Sequence, residues 1–218
     1  MKIGAIIPVF KMTYFLPLLL KEIGWIDKII LLKNEEPWDG SGEDETHTEL
    51  PDNVEVYMCD TKDQTEQRNY GLFLLRDYDL IFVLDSDEII LKADQIVLLA
   101  CAIQESEVTA FAMEVKAYKD MSHIYDYDTG HTPIVLVRGG TMLRDIRCVY
   151  GAFATFCDGF LHHLKFLQPP ESLEWRKNNK KHTREIKGVN EFMMPDELRE
   201  MLEEYGCYYT NIERGELY

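Results

Sequence analysis

The chain runs through Leu80-Ile81-Phe82-Val83-Leu84 and turns at once into Asp85-Ser86-Asp87-Glu88. A continuous apolar run of this kind fits a parallel strand buried on both faces. Three carboxylates directly after it are costly, because like charges repel and each loses hydration. A divalent cation would remove that conflict. Carboxylates are hard oxygen ligands suited to Mg2+ or Mn2+, and such an ion can also bridge the phosphates of a nucleotide. In open α/β sheets, ligands bind beyond the carboxyl ends of strands, which is where this turn falls. The plainer alternative is a solvated turn that caps a following helix.

The rest of the chain fits an α/β frame around that strand. Lys2–Val9, Ile26–Leu32 and Val54–Met58 read as strands. Helices are predicted over Thr13–Ile23, with Gly24 as the stop signal, over Thr61–Arg76 and over Ala93–Glu107. Glu35–Asp52 carries eight acids and no Lys or Arg, with Pro37, Gly40, Gly42 and Pro51, and reads as an exposed loop. Thr109–Val115 and Pro133–Val137 are later strands, and Phe153–Phe166 is apolar and aromatic without a clear period. Helices are expected over Glu171–Thr183 and over Pro195–Tyr205, with Pro195 in the first turn. Alternating strands and helices in the first half indicate a mainly parallel sheet with helices on both faces. Residues 1–168 are expected to form the catalytic α/β domain, and 169–218 a small helical C-terminal extension packed on it.

A net charge of −16 argues against non-specific binding to nucleic acid or anionic membrane. The single basic block holds Arg176, Lys177, Lys180, Lys181, Arg184 and Lys187. It is either a solvated helix face or a contact for phosphates or an anionic acceptor. Five scattered cysteines without a CxxC pair suggest reduced thiols and a cytoplasmic setting. No apolar run is long enough for a membrane span, and no integral membrane segment is expected.

Three elements in order, Ile6-Ile7-Pro8-Val9, Gln67-Arg68-Asn69-Tyr70-Gly71-Leu72 and Phe82-Val83-Leu84-Asp85-Ser86-Asp87-Glu88, resemble the pattern of family 2 glycosyltransferases. The resemblance covers roughly residues 1–105. It implies a GT-A (Rossmann-like) fold, a nucleoside-diphosphate sugar donor with a UDP-sugar favoured, and Mn2+ or Mg2+ as cofactor. By the same resemblance Pro8 and Val9 lie beside the nucleoside and Arg68 lies near the donor. Asp85 contacts the ribose or sugar, and Asp87 binds the metal. Many members place an acid just after the second strand to read the base; here those positions are Lys33-Asn34-Glu35, and Asn34 or Glu35 could serve. Arg68 has a plainer role open to it, a helix-face ion pair with Asp63 or Glu66.

A second constellation, His162-His163-Leu164-Lys165, lies well downstream. A neutral imidazole is a good Mn2+ ligand, and Lys165 could neutralise charge on a departing diphosphate. Half-buried packing is the competing reading of the pair. If the segment is a strand, His162 and His163 face opposite sides and only one can be the ligand. For the general base, Asp158 is the first candidate, followed by Asp126 and Asp128. The acceptor is expected to be a saccharide or a small molecule, with nucleic acid disfavoured by the acidic charge. A sugar nucleotidyltransferase should carry a Gly-rich loop after the first strand, and Phe10-Lys11-Met12-Thr13 has no glycine. A non-catalytic nucleotide-sugar-binding or scaffold protein of the same fold is the other alternative.

Overall fold

The computed structural model describes residues 1–9, 14–34, 49–61, 63–103, 107–127, 132–164, 167 and 186–205, without the side chains of Asp126, Tyr127, Cys157, Asp158, Ile186 and Lys187. The expected helix over Glu171–Thr183 and residues 35–48 of the acidic loop lie outside the described residues. Most of the basic block lies outside them as well.

The first half alternates as the apolar pattern predicts. It comprises β1 (Ile3–Val9), α1 (Leu16–Glu22), β2 (Lys28–Asn34), β3 (Val54–Cys59), α2 (Gln64–Leu74) and β4 (Leu80–Val83). Strands β3, β2, β1 and β4 lie side by side and parallel, so their carboxyl ends share one edge. Helix α2 starts three residues later than its apolar period suggests because Asp63 caps it. The Asp63 carboxylate accepts from Thr65 N at 2.7 Å and from Glu66 N at 2.9 Å, satisfying two of the orphan donors of the first turn.

The second half completes one eight-stranded sheet in the order β3-β2-β1-β4-β8-β6-β11-β5. It supplies β5 (Glu88–Ile90), α3 (Ala93–Ala102), β6 (Val108–Ala117), β7 (His123–Tyr127), β8 (Ile134–Arg138), β9 (Leu143–Asp145), β10 (Cys148–Val149) and β11 (Ala152–His163). Strand β8 runs antiparallel between β4 and β6, β6 and β11 are parallel, and β5 is antiparallel to β11. The apolar and aromatic stretch from Phe153 is therefore strand as far as His163. It bears an irregularity between Phe156 and Phe160, where Gly159 holds a φ of +145° that a side chain would strain.

After residue 169 the described chain is not purely helical: β12 (Ile186–Glu191) pairs antiparallel with β7 before α4 (Asp196–Glu204). Leu198 and Leu202 of α4 are fully buried in the same core as Phe15, Leu19, Ile89 and Ile96. Tyr205 donates its hydroxyl to Tyr14 O at 2.6 Å, tying the end of α4 to the start of α1. Apolar cores fill both faces of the sheet. The larger holds α1, α3 and α4, and the other holds Leu72 and Leu75 at α2 against Ile6, Ile30, Leu32 and Val83.

Candidate functional site

The Gln67-Arg68-Asn69 triplet on α2 stitches three different segments together. Gln67 Nε2 donates to Leu32 O of β2 at 2.9 Å. Arg68 Nη2 reaches Asp85 Oδ1 at 2.5 Å. Asn69 pairs with the Leu143 backbone in both directions, at 2.7 and 2.9 Å. Such close approach needs Gly71, where an added Cβ would stand 2.8 Å from Leu32 Cδ1 and 2.9 Å from Ile6 Cγ2. Arg68 does not take the helix-face ion pair with Asp63 or Glu66. Asp63 is the helix cap, and Arg68 is buried with its charge on the strand-end turn.

That turn is not a solvated helix cap. Asp87 and Glu88 are each 3% exposed, and Glu88 opens β5 rather than a helix. Sequence reasoning assigned relief of the crowded carboxylates to a cation, but two buried arginines already do much of it. Arg68 holds Asp85. Arg147 Nη1 donates to both Glu88 carboxylate oxygens, at 2.6 and 2.7 Å, and stands 3.8 Å from Asp85 Oδ2. Burial alone would raise the Asp85 pKa, but Arg68 and then Arg147 outweigh it and hold the carboxyl below its ordinary value. Burial would likewise lower Arg147, but Glu88 and Asp85 keep it firmly charged. Arg147 is the residue that sequence reasoning missed, since nothing in Asp145-Ile146-Arg147-Cys148 marks it as buried.

Pairing of β11 with β5 sets His163 opposite Glu88 and His162 opposite Ile89. The two imidazoles separate as strand geometry requires. His163 Nε2 lies 3.3 Å from Asp87 Oδ1. The backbones of the two segments are joined too, with Leu164 N donating to Asp87 O at 2.8 Å. His162 is 3% exposed, stacked on Tyr118, with its Nδ1 at 2.8 Å from the Tyr118 hydroxyl. Burial, and then the charge of Lys116, push its pKa down to about 4, so it is neutral.

Asn34, at the carboxyl end of β2, is 3% exposed, and its Oδ1 has no hydrogen-bond partner among the described residues. Arg68 Nε is a second buried polar atom in that state. Pro8 is partly exposed at the end of β1, whereas the Val9 side chain belongs to the core at 2% exposure. Asp158 sits in β11 with its side chain outside the described residues, and Asp128 and Lys165 lie outside them entirely. The structure thus brings together Arg68, Asp85, Asp87, Glu88, Arg147 and His163 and separates His162 from them.

The chain has counterparts among solved structures. It matches S. aureus TarS residues 1–349 with a TM-score of 0.50 at 14% identity, over 82% of this chain and 64% of that one. It matches a mannosyltransferase, PcManGT from Pyrobaculum calidifontis in complex with GDP-Man and Mn2+, with a TM-score of 0.50 at 13% identity, over 83% of this chain and 61% of that one. The fold is GT-A. The chain spans less than two thirds of the length of either of these GT-A proteins. No protein-family model and no curated protein matches the sequence.

In this GT-A chain the strand-end turn can be tested against a divalent ion by its donor set. Among the described residues no group of three His, Cys, Asp or Glu side chains could hold a metal by itself. Asp87 and His163 nevertheless offer one carboxylate oxygen and one imidazole nitrogen 3.3 Å apart. Neighbouring ligands of an octahedral ion are about 3 Å apart at metal–ligand lengths of about 2.1 Å, so the pair fits two positions. The remaining positions would fall to phosphate oxygens and water, the usual arrangement for Mg2+-type sites. No helix among the described residues is long and apolar enough to cross a membrane.

Proposed function

We propose that the chain is a glycosyltransferase that moves a sugar from a nucleoside-diphosphate donor to an acceptor hydroxyl, with a divalent cation held by Asp87 and His163. The observation that carries this reading is the approach of His163 to Asp87 at the carboxyl end of the parallel strands, beside an Asp85 fixed by Arg68. Mn2+ or Mg2+ bound there would offset the charge of the donor diphosphate. The motif resemblance to family 2 enzymes supports the same assignment. So does the fold shared with a mannosyltransferase whose structure contains GDP-Man and Mn2+.

In this reading Asp85, kept ionised by its arginines, accepts hydrogen bonds from the ribose or sugar of the donor, and Pro8 and Asn34 flank the nucleoside. Asn34 Oδ1 offers an acceptor to a base N–H, such as that of the uracil in a UDP-sugar, the donor the motif resemblance favours. The acceptor oxygen forms its bond to the anomeric carbon as the bond to the diphosphate breaks, and its proton passes to a carboxylate, Asp158 or Asp128. Lys165 would steady the departing diphosphate. Residues 1–168 form the catalytic domain in this reading, and 169–218 its extension.

Thermal unfolding with a panel of nucleoside diphosphates, with and without Mn2+, tests the proposal on the wild type and on Asp87→Ala. A ligand that binds only the native state raises Tm by mass action. A shift that needs both one nucleotide and the metal, and is lost in Asp87→Ala, is the expected result. Absence of any shift across the panel would overturn the reading in favour of a GT-A-fold protein with another role.

A further inference from the structure

We propose that Arg147 is a positioning residue: carried in on the turn between β9 and β10, it holds Glu88 and through it the Asp85–Asp87 turn in the geometry that the donor site uses. This rests on the glycosyltransferase reading for its functional half only.

Every part of the guanidinium is committed. Nη1 takes both oxygens of Glu88, Nη2 donates to Val83 O at 2.9 Å, and Nε donates to Ile134 O at 3.0 Å. One side chain therefore grips the last residue of β4, the first residues of β5 and β8, and the turn between them. Glu88 passes the constraint on, since its Oε2 accepts from Asp85 N at 2.8 Å while Glu88 N donates to Asp85 O at 3.1 Å. The Asp85–Glu88 turn is thus closed on itself by backbone and side chain, and Arg147 is the outside clamp. A rigid planar guanidinium suits this task and a lysine ammonium does not, because its three nitrogens point in fixed directions at three different partners.

The backbone is bent to deliver it. Arg147 has a φ of +53°, in the left-handed region that costs a branched or long side chain of L configuration. It is held there while being only 4% exposed. The same β9–β10 ribbon is tied at its other end to Asn69, next to the Arg68 that holds Asp85. The ribbon adds no strand to the main sheet. Both of its anchored ends lead to the strand-end carboxylates, which is the role a positioning element would have.

The test compares the wild type, Arg147→Lys, and the paired variant Arg147→Met with Glu88→Gln. The paired variant removes the charge on both partners, so it avoids the penalty of an orphaned carboxylate at Glu88, and unchanged exchange across the rest of the sheet checks that the chain is folded. Two quantities are read, local amide hydrogen exchange and the Kd of UDP with Mn2+. The expected result is faster exchange at residues 84–90 and 161–164 with the rest of the sheet unchanged, and at least a tenfold weaker Kd in the paired variant. Arg147→Lys should fall between the two. Wild-type exchange at the turn overturns the proposal whatever the nucleotide result. Faster exchange with an unchanged Kd overturns its functional half. If the wild type binds no nucleotide, the donor-site reading fails, and the exchange data still decide whether Arg147 clamps the turn.

Discussion

His163 Nε2 comes within 3.3 Å of Asp87 Oδ1, while the adjacent His162 turns away to stack on Tyr118. Two neighbouring imidazoles thus have opposite surroundings, one beside a carboxylate and partly open to solvent, the other sealed in aromatic packing. Their substitutions should separate cleanly. His163→Ala should leave Tm nearly unchanged without ligand and abolish the metal-dependent shift, which for a ligand at a hundred times its Kd is about 2.7 kcal/mol. His162→Ala should cost roughly 3 kcal/mol of stability, from lost packing and an unpaired Tyr118 hydroxyl, while the folded molecules keep the shift. Calorimetric unfolding with and without UDP and Mn2+ reads both. Loss of the shift in His162→Ala alone would reverse the assignment.

The same histidine makes stability depend on pH. Its pKa is 6.5 in the unfolded chain and about 4 in the folded one, so between those values the unfolded chain binds a proton that the folded chain refuses. The stability gained by keeping it neutral is complete above pH 6.5 and is lost as pH falls toward 4. The loss amounts to roughly 3 kcal/mol for this one group. Urea unfolding at intervals across that range should show the decline in the wild type and a shallower one in His162→Gln. Equal slopes would mean that His162 is not the group responsible.

Asn34 offers a prediction of the opposite sign. A buried acceptor without a partner lowers stability by about 1–3 kcal/mol. Asn34 Oδ1 is such an atom among the described residues. Replacing Asn34 by Val, a good strand former, should leave stability unchanged or raise it by up to about 1 kcal/mol. If the oxygen waits for a nucleoside, the same change should weaken nucleotide binding at least tenfold. A variant that is clearly less stable, or that binds as the wild type does, would remove Asn34 from the donor site.

What the sequence made legible follows from where its signals are local. Strands β1, β2 and β4 announce themselves because burial on both faces demands an unbroken apolar run, whereas the apolar period starts α2 too early, at Thr61, because it does not register that Asp63 caps the helix through Thr65 N and Glu66 N. The strand-end carboxylates stand out for the same reason, as charge placed directly after such a run. Strand β5 has three residues, too short for a period, and its first is Glu88, which reads as part of a polar turn. The partner of Arg68 could not be read from helix spacing, because α2 turns that side chain inward to Asp85 on a different element. That His162 and His163 diverge was legible from strand alternation. Which of them meets Asp87 depends on the β5–β11 register, a long-range property. Arg147 gave no signal at all, since its burial arises from a chain reversal at positive φ and from partners on three other segments.

Gly139 provides the sharpest test of the sheet itself. It follows β8, and its N–H donates to Asp79 O at 3.2 Å just before β4 begins. A Cβ built there would stand 2.0 Å from Tyr78 O and 3.0 Å from Arg76 O, which are backbone atoms and cannot rotate aside. Gly139→Ala must therefore push β8 away from the loop that leads into β4. Overpacking of this kind costs about 1–3 kcal/mol and occasionally more. Gly140→Ala is the matched control: an added Cβ meets nothing within 4 Å, and only its φ of +80° opposes the change. That strain is on the order of 1 kcal/mol. The expected order in urea unfolding is wild type, Gly140→Ala, then Gly139→Ala by a wide margin. Antiparallel pairing of β8 with β4 at Arg138 and Leu80 requires that order, and equal losses in the two variants would show the contact between these segments to be looser than described.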